Sequence, residues 1–454
     1  AIAVVGDIDP DDILEGLTAE LIRHGKVHTL SAARVDGLLA APGISASEPG
    51  DVGDVRLSRA IHEMELEADT MLLDVGRTDD AWARRCLGLA DRILVFVPAG
   101  PSESELASAN AALTSCPPGI GRTIVFQHRD AGPPSGSVAL LPRLSGDEAL
   151  HMRGGSQIDL ARIARVSIGK GNALVMGGGG GRGFAHIGVY RALDELGFQV
   201  DIIGGTSIGG VLGTVMADAL DPAEIVAWAN EHFPNVLDYT LPVVSLIKAS
   251  KITRAASTTF GDREIEDLWR TFFCMSTDLT SARPHIHRTG SVVVAIRATS
   301  AIPGVMPPVP VGDSLLIDGG VLNNLPIDIA RGLSPAGTVL AVDVAPPRGP
   351  GAHGDYGLSV SGWEALRSNR SSKRHRYPGI SAILMRSMIA ASMRERDRQV
   401  RDGLADLYLD LDIRGISMLD FDDPTGVAAK GYDAAMPRLE TWLGSMAAEG
   451  PESL

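Results

Sequence analysis

Three cysteines in 454 residues, Cys86, Cys116 and Cys274, stand without C-x-x-C spacing. That scatter excludes a disulfide framework and a thiolate zinc site, and no other metal is expected; it fits a reducing compartment. No apolar run approaches the roughly 20 residues that span a bilayer, and no signal-peptide pattern opens the chain. A cytoplasmic protein is expected. Positive charge is also short. The 41 Lys and Arg against 56 Asp and Glu leave a formal net charge of −15, which argues against nucleic acid as a partner. An initiator methionine is missing too. The chain enters the strand Ile2 to Val5 almost at once, as a piece of something longer would. What is present is an ordinary globular balance, 44% hydrophobic and 21% charged, with length for two or more domains.

Residues 1–165 alternate apolar strands with amphipathic helices. The strands are Ile2 to Val5, Val27 to Leu30, Thr70 to Val75, Arg92 to Val97 and Thr123 to Gln127; the helices are Pro10 to His24, Val55 to Ala68, Asp79 to Leu89 and Glu103 to Leu113. The pattern predicts a Rossmann-like parallel sheet. Its first turn, Gly6-Asp7-Ile8-Asp9, lacks the glycine spacing a pyrophosphate needs, so a non-catalytic scaffold or interaction domain is the better reading. Residues 131–156, rich in Gly, Pro and Ser, read as a linker to a second domain over 166–454.

In that second part, Leu174-Val175-Met176 reads as a strand end. A run from Gly177 to Gly183 follows, broken only by Arg182. Successive glycines turn N–H groups toward one point and make a nest for an anion. Two anions fit. A nucleotide phosphate is one, since Gly178-x-Gly180-x-x-Gly183 matches a dinucleotide fingerprint with Asp201 placed for a ribose contact. No lysine follows the run, which excludes a P-loop. A tetrahedral oxyanion is the other. Asp201 is followed almost at once by Gly205-Thr206-Ser207-Ile208-Gly209, a G-x-S-x-G turn between a predicted strand, Gln199 to Ile203, and a helix through Ile208, Val211, Leu212 and Val215. A serine hydroxyl needs a base within reach and donors for the oxyanion, and this turn would set Ser207 at a helix N-terminus. Further on, Leu315-Leu316-Ile317 leads into Asp318-Gly319-Gly320, an acid with two glycines that let it reach a crowded site.

Taken in order, Gly178 to Gly183 with Arg182, Gly205 to Gly209, and Asp318 to Gly320 resemble the patatin-like phospholipases, which carry G-G-G-x-R-G, G-x-S-x-G and D-G-G/A. Asn323-Asn324-Leu325-Pro326 is similar to the neuropathy-target-esterase branch. The resemblance covers roughly residues 166–445. It implies a three-layer α/β/α catalytic domain behind the Rossmann-like one, a phospholipase or lysophospholipase acting on lipid esters, no cofactor, and a Ser207–Asp318 dyad with Gly178 to Gly183 as the oxyanion loop. Relatives in this branch often carry upstream regulatory domains. The rival is a Ser-Asp-His triad, for which only His353 and His375 follow Asp318. His186, beside the glycine run, reads as structural or solvent-facing.

Further strands are expected at Val292 to Ile296 and Val339 to Val344, and helices near 222–233 and 263–273. The apolar stretch from Asn235 to Gly261 reads either as core packing or as a flap over an acyl pocket. Residues 367–376 form a basic island, and Ile380, Ile383, Leu384, Met388 and Ile389 share a helical face ahead of Arg394, Arg396, Arg398 and Arg401. This reads as a solvated loop plus a core-covering helix, or as a peripheral contact with an anionic membrane.

Overall fold

In the computed structural model the described residues are 1–345 apart from 7, 77–79 and 131, then 359, 361–363, 365, and 379–449 apart from 414. The basic island, His353 and His375 lie outside them. The first part of the chain contributes β1 (Ile2–Val4), β2 (Val27–Leu30), β3 (Thr70–Leu73), β4 (Arg92–Pro98), β5 (Gly121–His128) and β6 (Glu148–Arg153). β1, β4, β5 and β6 lie side by side and parallel. On the other edge of β1, a parallel bridge from Ile2 to Asp74 brings in β3 and then β2. The spatial order is 2-3-1-4-5-6, the expected parallel arrangement with crossover helices. Ile93–Val97 is buried throughout, as a strand covered on both faces must be. The expected linker is corrected here. Residues 148–153 are β6, and their Leu150 and Met152 belong to the core, so composition hid a strand among turn residues.

The second sheet holds β7 (Ala173–Met176), β8 (Ile202–Thr206), β9 (Thr271–Asp278), β10 (Arg283–His287), β11 (Val309–Val311), β12 (Ser314–Asp318), β13 (Val339–Asp343) and β14 (Leu407–Asp410). Its order is β11-β12-β9-β8-β7-β13-β14, with β10 also on β9. Strands β8, β7, β13 and β14 run parallel, between layers of helix. Two expectations fail. Val292–Thr299 is a helix, because Ser291 caps it and it is buried against β9, which overrides three consecutive valines. Residues 263–273 are not a helix. A short 3-10 turn, Ile265–Asp267, leads into β9, whose Phe272, Phe273 and Cys274 fill a central strand.

β9 positions the chemistry. β8 pairs with Thr271 to Met275 of β9, β10 with Cys274 to Asp278, and β12 with Ser276 to Asp278. A strand has two edges, so β8 and β12 must follow one another along the same one. Thr206 sits opposite Met275, and Asp318, the last residue of antiparallel β12, sits opposite Ser276. The end of β8 and the end of β12 therefore point at each other.

The two sheets share a core. Ile2, Val4, Leu94 and Phe96 of the first cluster with Val175, Ile202, Phe273 and Ala341 of the second, around the helices Pro10–Leu21 and Gln157–Ser167. Arg165, from the latter helix, forms paired bonds to both Asp201 oxygens at 2.8 and 2.7 Å and a third to Glu20 at 2.7 Å, all three residues being buried. No helix among the described residues is long and apolar enough to cross a membrane.

Candidate active site

Ser207 follows β8 and precedes the buried helix Ile208–Ala217. Its backbone is held at φ 56°, ψ −129°, which an L-residue adopts only where its surroundings enforce it. Gly209 allows the turn: a Cβ there would lie 2.2 Å from the Met176 carbonyl oxygen. The Ser207 N–H, turned away from the helix, donates to Thr299 Oγ1 at 2.9 Å, and Thr299 in turn donates to the Met275 carbonyl at 2.6 Å.

Asp318 is buried, and the Ser207 side chain lies close enough to its carboxylate to favour the charged form. Asp318 Oδ1 accepts the Gly320 N–H at 2.7 Å, and the Asp318 N–H donates to Ala301 O at 2.9 Å. Burial raises its pKa from 3.8 to about 6, against Ser207 and the Gly320 N–H, which favour the charged form. A carboxylate so placed takes up a proton more readily than an exposed one.

The glycine run leaves β7 and curls into the short helix Gly180–Phe184. Gly180 has φ +59°, and a Cβ there would fall 1.9 Å from Met418 O, so only glycine fits. The run does not offer all its N–H groups. Gly178 N donates to Asn324 O at 3.3 Å and Gly181 N to Met418 O at 2.9 Å. This corrects the expectation that Gly178 and Gly181 supply oxyanion donors. Among the described residues nothing accepts the N–H of Gly179 or Gly180. Ile208, the first residue of its helix, adds an N–H with no intrahelical partner. Arg182 does not face the nest as a free cation: its Nε donates to Ile416 O at 2.9 Å. Gly183 packs against Ile208, where a Cβ would lie 2.2 Å from that side chain.

The structure brings Ser207, Asp318 and the loop together; His353 and His375, the histidines of the rival triad, lie outside the described residues. Asp201, the expected ribose ligand, is buried under Arg165. His186 is fully buried rather than solvent-facing. Its Nε2 binds the Gly177 carbonyl at 2.8 Å, and burial lowers its pKa to about 4, so it is neutral and holds the start of the glycine run. Residues 235–261 divide into an exposed apolar loop and the helix Ser250–Phe260.

Sequence reasoning missed Thr299 and the organising role of Asn324. Asn324 Nδ2 binds Gly178 O at 3.1 Å, and its own N–H is taken by the buried Ser392 hydroxyl at 2.8 Å. Asn324 thus ties the glycine run to the acid loop. Thr299 gave no signal, because it lies on the helix that its valines disguised as a strand. Met418, far away in sequence, offered none either.

The sequence profile of the family described as "Patatin-like phospholipase" matches residues 174–331. Among curated proteins, the chain is 30% identical over 460 residues to "Patatin-like phospholipase domain-containing protein 7" of Rattus norvegicus, covering 92% of this chain and 34% of that protein. It is 33% identical over 390 residues to "Patatin-like phospholipase domain-containing protein 6" of Mus musculus, covering 78% and 29%. It is 36% identical over 293 residues to "Lysophospholipase nte1" of Aspergillus fumigatus, covering 62% and 19%. The chain spans about a third or less of the length of these relatives. The rat similarity takes in most of residues 1–165 as well.

Proposed function

Because the chain belongs to the patatin-like phospholipase family, in its neuropathy-target-esterase-like branch, we propose that it hydrolyses fatty-acyl esters of phospholipids or lysophospholipids through Ser207 and Asp318. The observation that carries this reading is the buried Asp318 carboxylate beside a serine held in a strained turn, where the ends of β8 and β12 meet on β9. Ser207 Oγ attacks the acyl carbon while its proton passes to Asp318. The carbonyl oxygen becomes an oxyanion among the N–H groups of Gly179, Gly180 and Ile208. The tetrahedral intermediate collapses, the C–O bond to the leaving alcohol breaks, and Asp318 returns its proton to that oxygen. Water then attacks the acyl-serine, giving its proton to Asp318. Collapse releases the fatty acid and restores the Ser207 hydroxyl.

Residues 1–165 serve as a non-catalytic domain that buttresses the β7–β8 side of the site. The nucleotide reading loses its supports, with Gly178 and Gly181 committed to carbonyls and Asp201 to Arg165. A fluorophosphonate probe should label Ser207 and leave Ser207→Ala unlabelled. Labelling that persists in Ser207→Ala would sink the assignment, and profiling of released fatty acids would identify the substrate.

Two further results are expected. Asp318 must be ionised to accept the proton, so kcat/KM on a soluble ester should be flat above pH about 6 and fall about tenfold per pH unit below it. A limb centred near the ordinary 3.8 would remove the buried base. Thr299 holds the Ser207 turn without touching substrate. Thr299→Val should lower kcat about 10–100-fold with KM little changed, and Thr299→Ser should restore it. An equal loss in the Ser variant would assign Thr299 to packing alone.

A further inference from the structure

Residues 237–248 form a closed loop beside the site. Tyr239 and Ile247 bridge antiparallel, Thr240 N donates to Leu246 O at 3.0 Å, and Lys248 N donates to Asp238 O at 2.9 Å. The loop is also fastened to the segment that anchors Asp318. Leu246 N binds Gly304 O and Ile247 N binds Val305 O, both at 3.0 Å, just beyond the Ala301 carbonyl that holds the Asp318 N–H. Ile247 packs with Ile302, Val305 and Met306. Met418, whose carbonyl holds Gly181, lies against the same cluster.

With its base fixed, the tip faces outward. Leu241, Val243 and Val244 are 79%, 81% and 67% exposed, and Tyr239 and Leu246 are exposed too. No residue from 239 to 247 is charged. Single exposed apolar side chains are ordinary; five within eight residues make a patch that wants a partner. Lys248, Lys251 and Arg254 follow at once, in a chain whose net charge is −15. Lys251 Nζ binds the Asn235 carbonyl rather than a carboxylate. The one acid of the loop, Asp238, is engaged by the Ala249 and Ser250 N–H groups at 2.8 Å. An uncharged Leu/Val/Tyr tip backed by cations suits an anionic lipid surface. A second copy of this chain would bring a further net charge of −15. Closure as a flap would break the bonds to Gly304 and Val305.

We propose that the 239–247 loop inserts its tip into a lipid surface, with Lys248 and Lys251 against anionic headgroups, so that the mouth of the site opens onto the bilayer. This rests on the reading of the chain as a lipid hydrolase, and the test separates the two. In a Ser207→Ala background, flotation with phosphatidylcholine vesicles, with and without phosphatidylglycerol, reads binding independently of turnover. Replacing Leu241, Val243 and Val244 together by Ser should weaken partitioning by about tenfold or more. Lys248→Gln with Lys251→Gln should remove the salt-sensitive part contributed by phosphatidylglycerol. The fluorescence of a Val244→Trp variant should shift to the blue on adding vesicles. With Ser207 intact, the triple variant should lose vesicle-borne lysophospholipid hydrolysis while keeping hydrolysis of a soluble short-chain ester. Unchanged partitioning of the triple variant, an unshifted emission from Val244→Trp, or a dimer that the triple variant dissolves would each overturn the proposal. Failure of every variant and of the intact protein to cleave any ester would instead strike the function, leaving the vesicle result standing.

Discussion

Asp318→Asn should lose turnover and gain stability at once. On the proposed dyad, the amide cannot accept the Ser207 proton, so kcat should fall by about 10⁴ or more, as it should in Ser207→Ala. The stability effects should differ. Asp318 has its folded pKa raised from 3.8 to about 6, so the folded state holds its proton more tightly than the unfolded one. Below the unfolded value both states are protonated and the carboxyl costs nothing. As pH rises from 3.8 through about 6 the folded state must ionise a buried group, and stability falls by up to about 3 kcal/mol, fully felt at pH 7. The amide removes that cost and still offers an oxygen to Gly320 N. The variant should therefore unfold at higher denaturant than the parent at pH 7, by about 1–3 kcal/mol, and show no such advantage near pH 3.5. Ser207→Ala should show no comparable rise, since it leaves the carboxylate buried and removes a side chain that favours its charged form. Equal stability of Asp318→Asn and the parent at both pH values would mean that the carboxylate is not strained in the resting site.

The three motifs were legible because each is a local demand. A serine at φ 56° needs glycines beside it, and an acid at the end of a buried strand needs room to turn. Those demands are written in adjacent residues. What brings Ser207 to Asp318 is not. It is the register of β9, whose one edge receives β8 and then β12, and no pattern in 271–278 announces two successive neighbours. The same strand and the helix after it were misread, since aromatic and β-branched residues at 271–274 and 292–294 fit either element until burial decides. The oxyanion donors show the limit from the other side. Six residues of the run looked equivalent, and the N–H of Gly181 is removed by a carbonyl 237 residues away, at Met418. Local spacing can announce a nest but not which of its donors a distant chain will occupy.

The other large effect lies away from the chemistry, at Arg165. Arg165→Met should destabilise the protein by about 3–5 kcal/mol, because it leaves the Asp201 and Glu20 carboxylates buried and unpaired. The loss comes from the orphaned charges rather than from a large net gain in the intact triad. Removing all three charges, with Glu20→Gln and Asp201→Asn added, should therefore recover most of it. The new amide oxygen at position 201 can still accept the Asn172 N–H that Asp201 holds at 2.9 Å. The single variant should also recover part of its deficit as pH falls, since an unpaired buried carboxylate escapes its penalty by taking a proton. Denaturant midpoints for the parent, single and triple variants at pH 7 and pH 5 decide it. A triple variant no better than the single would mean that Arg165 acts through packing. The consequence for function follows from place. Asp201 stands just before β8, six residues ahead of Ser207, and Glu20, the other carboxylate on Arg165, belongs to the first sheet's layer. That sheet thus bears directly on the strand that delivers the nucleophile. In Arg165→Met, kcat well below the unfolding temperature should fall only a few-fold while the midpoint drops sharply, because the turn at Ser207 has its own bond to Thr299.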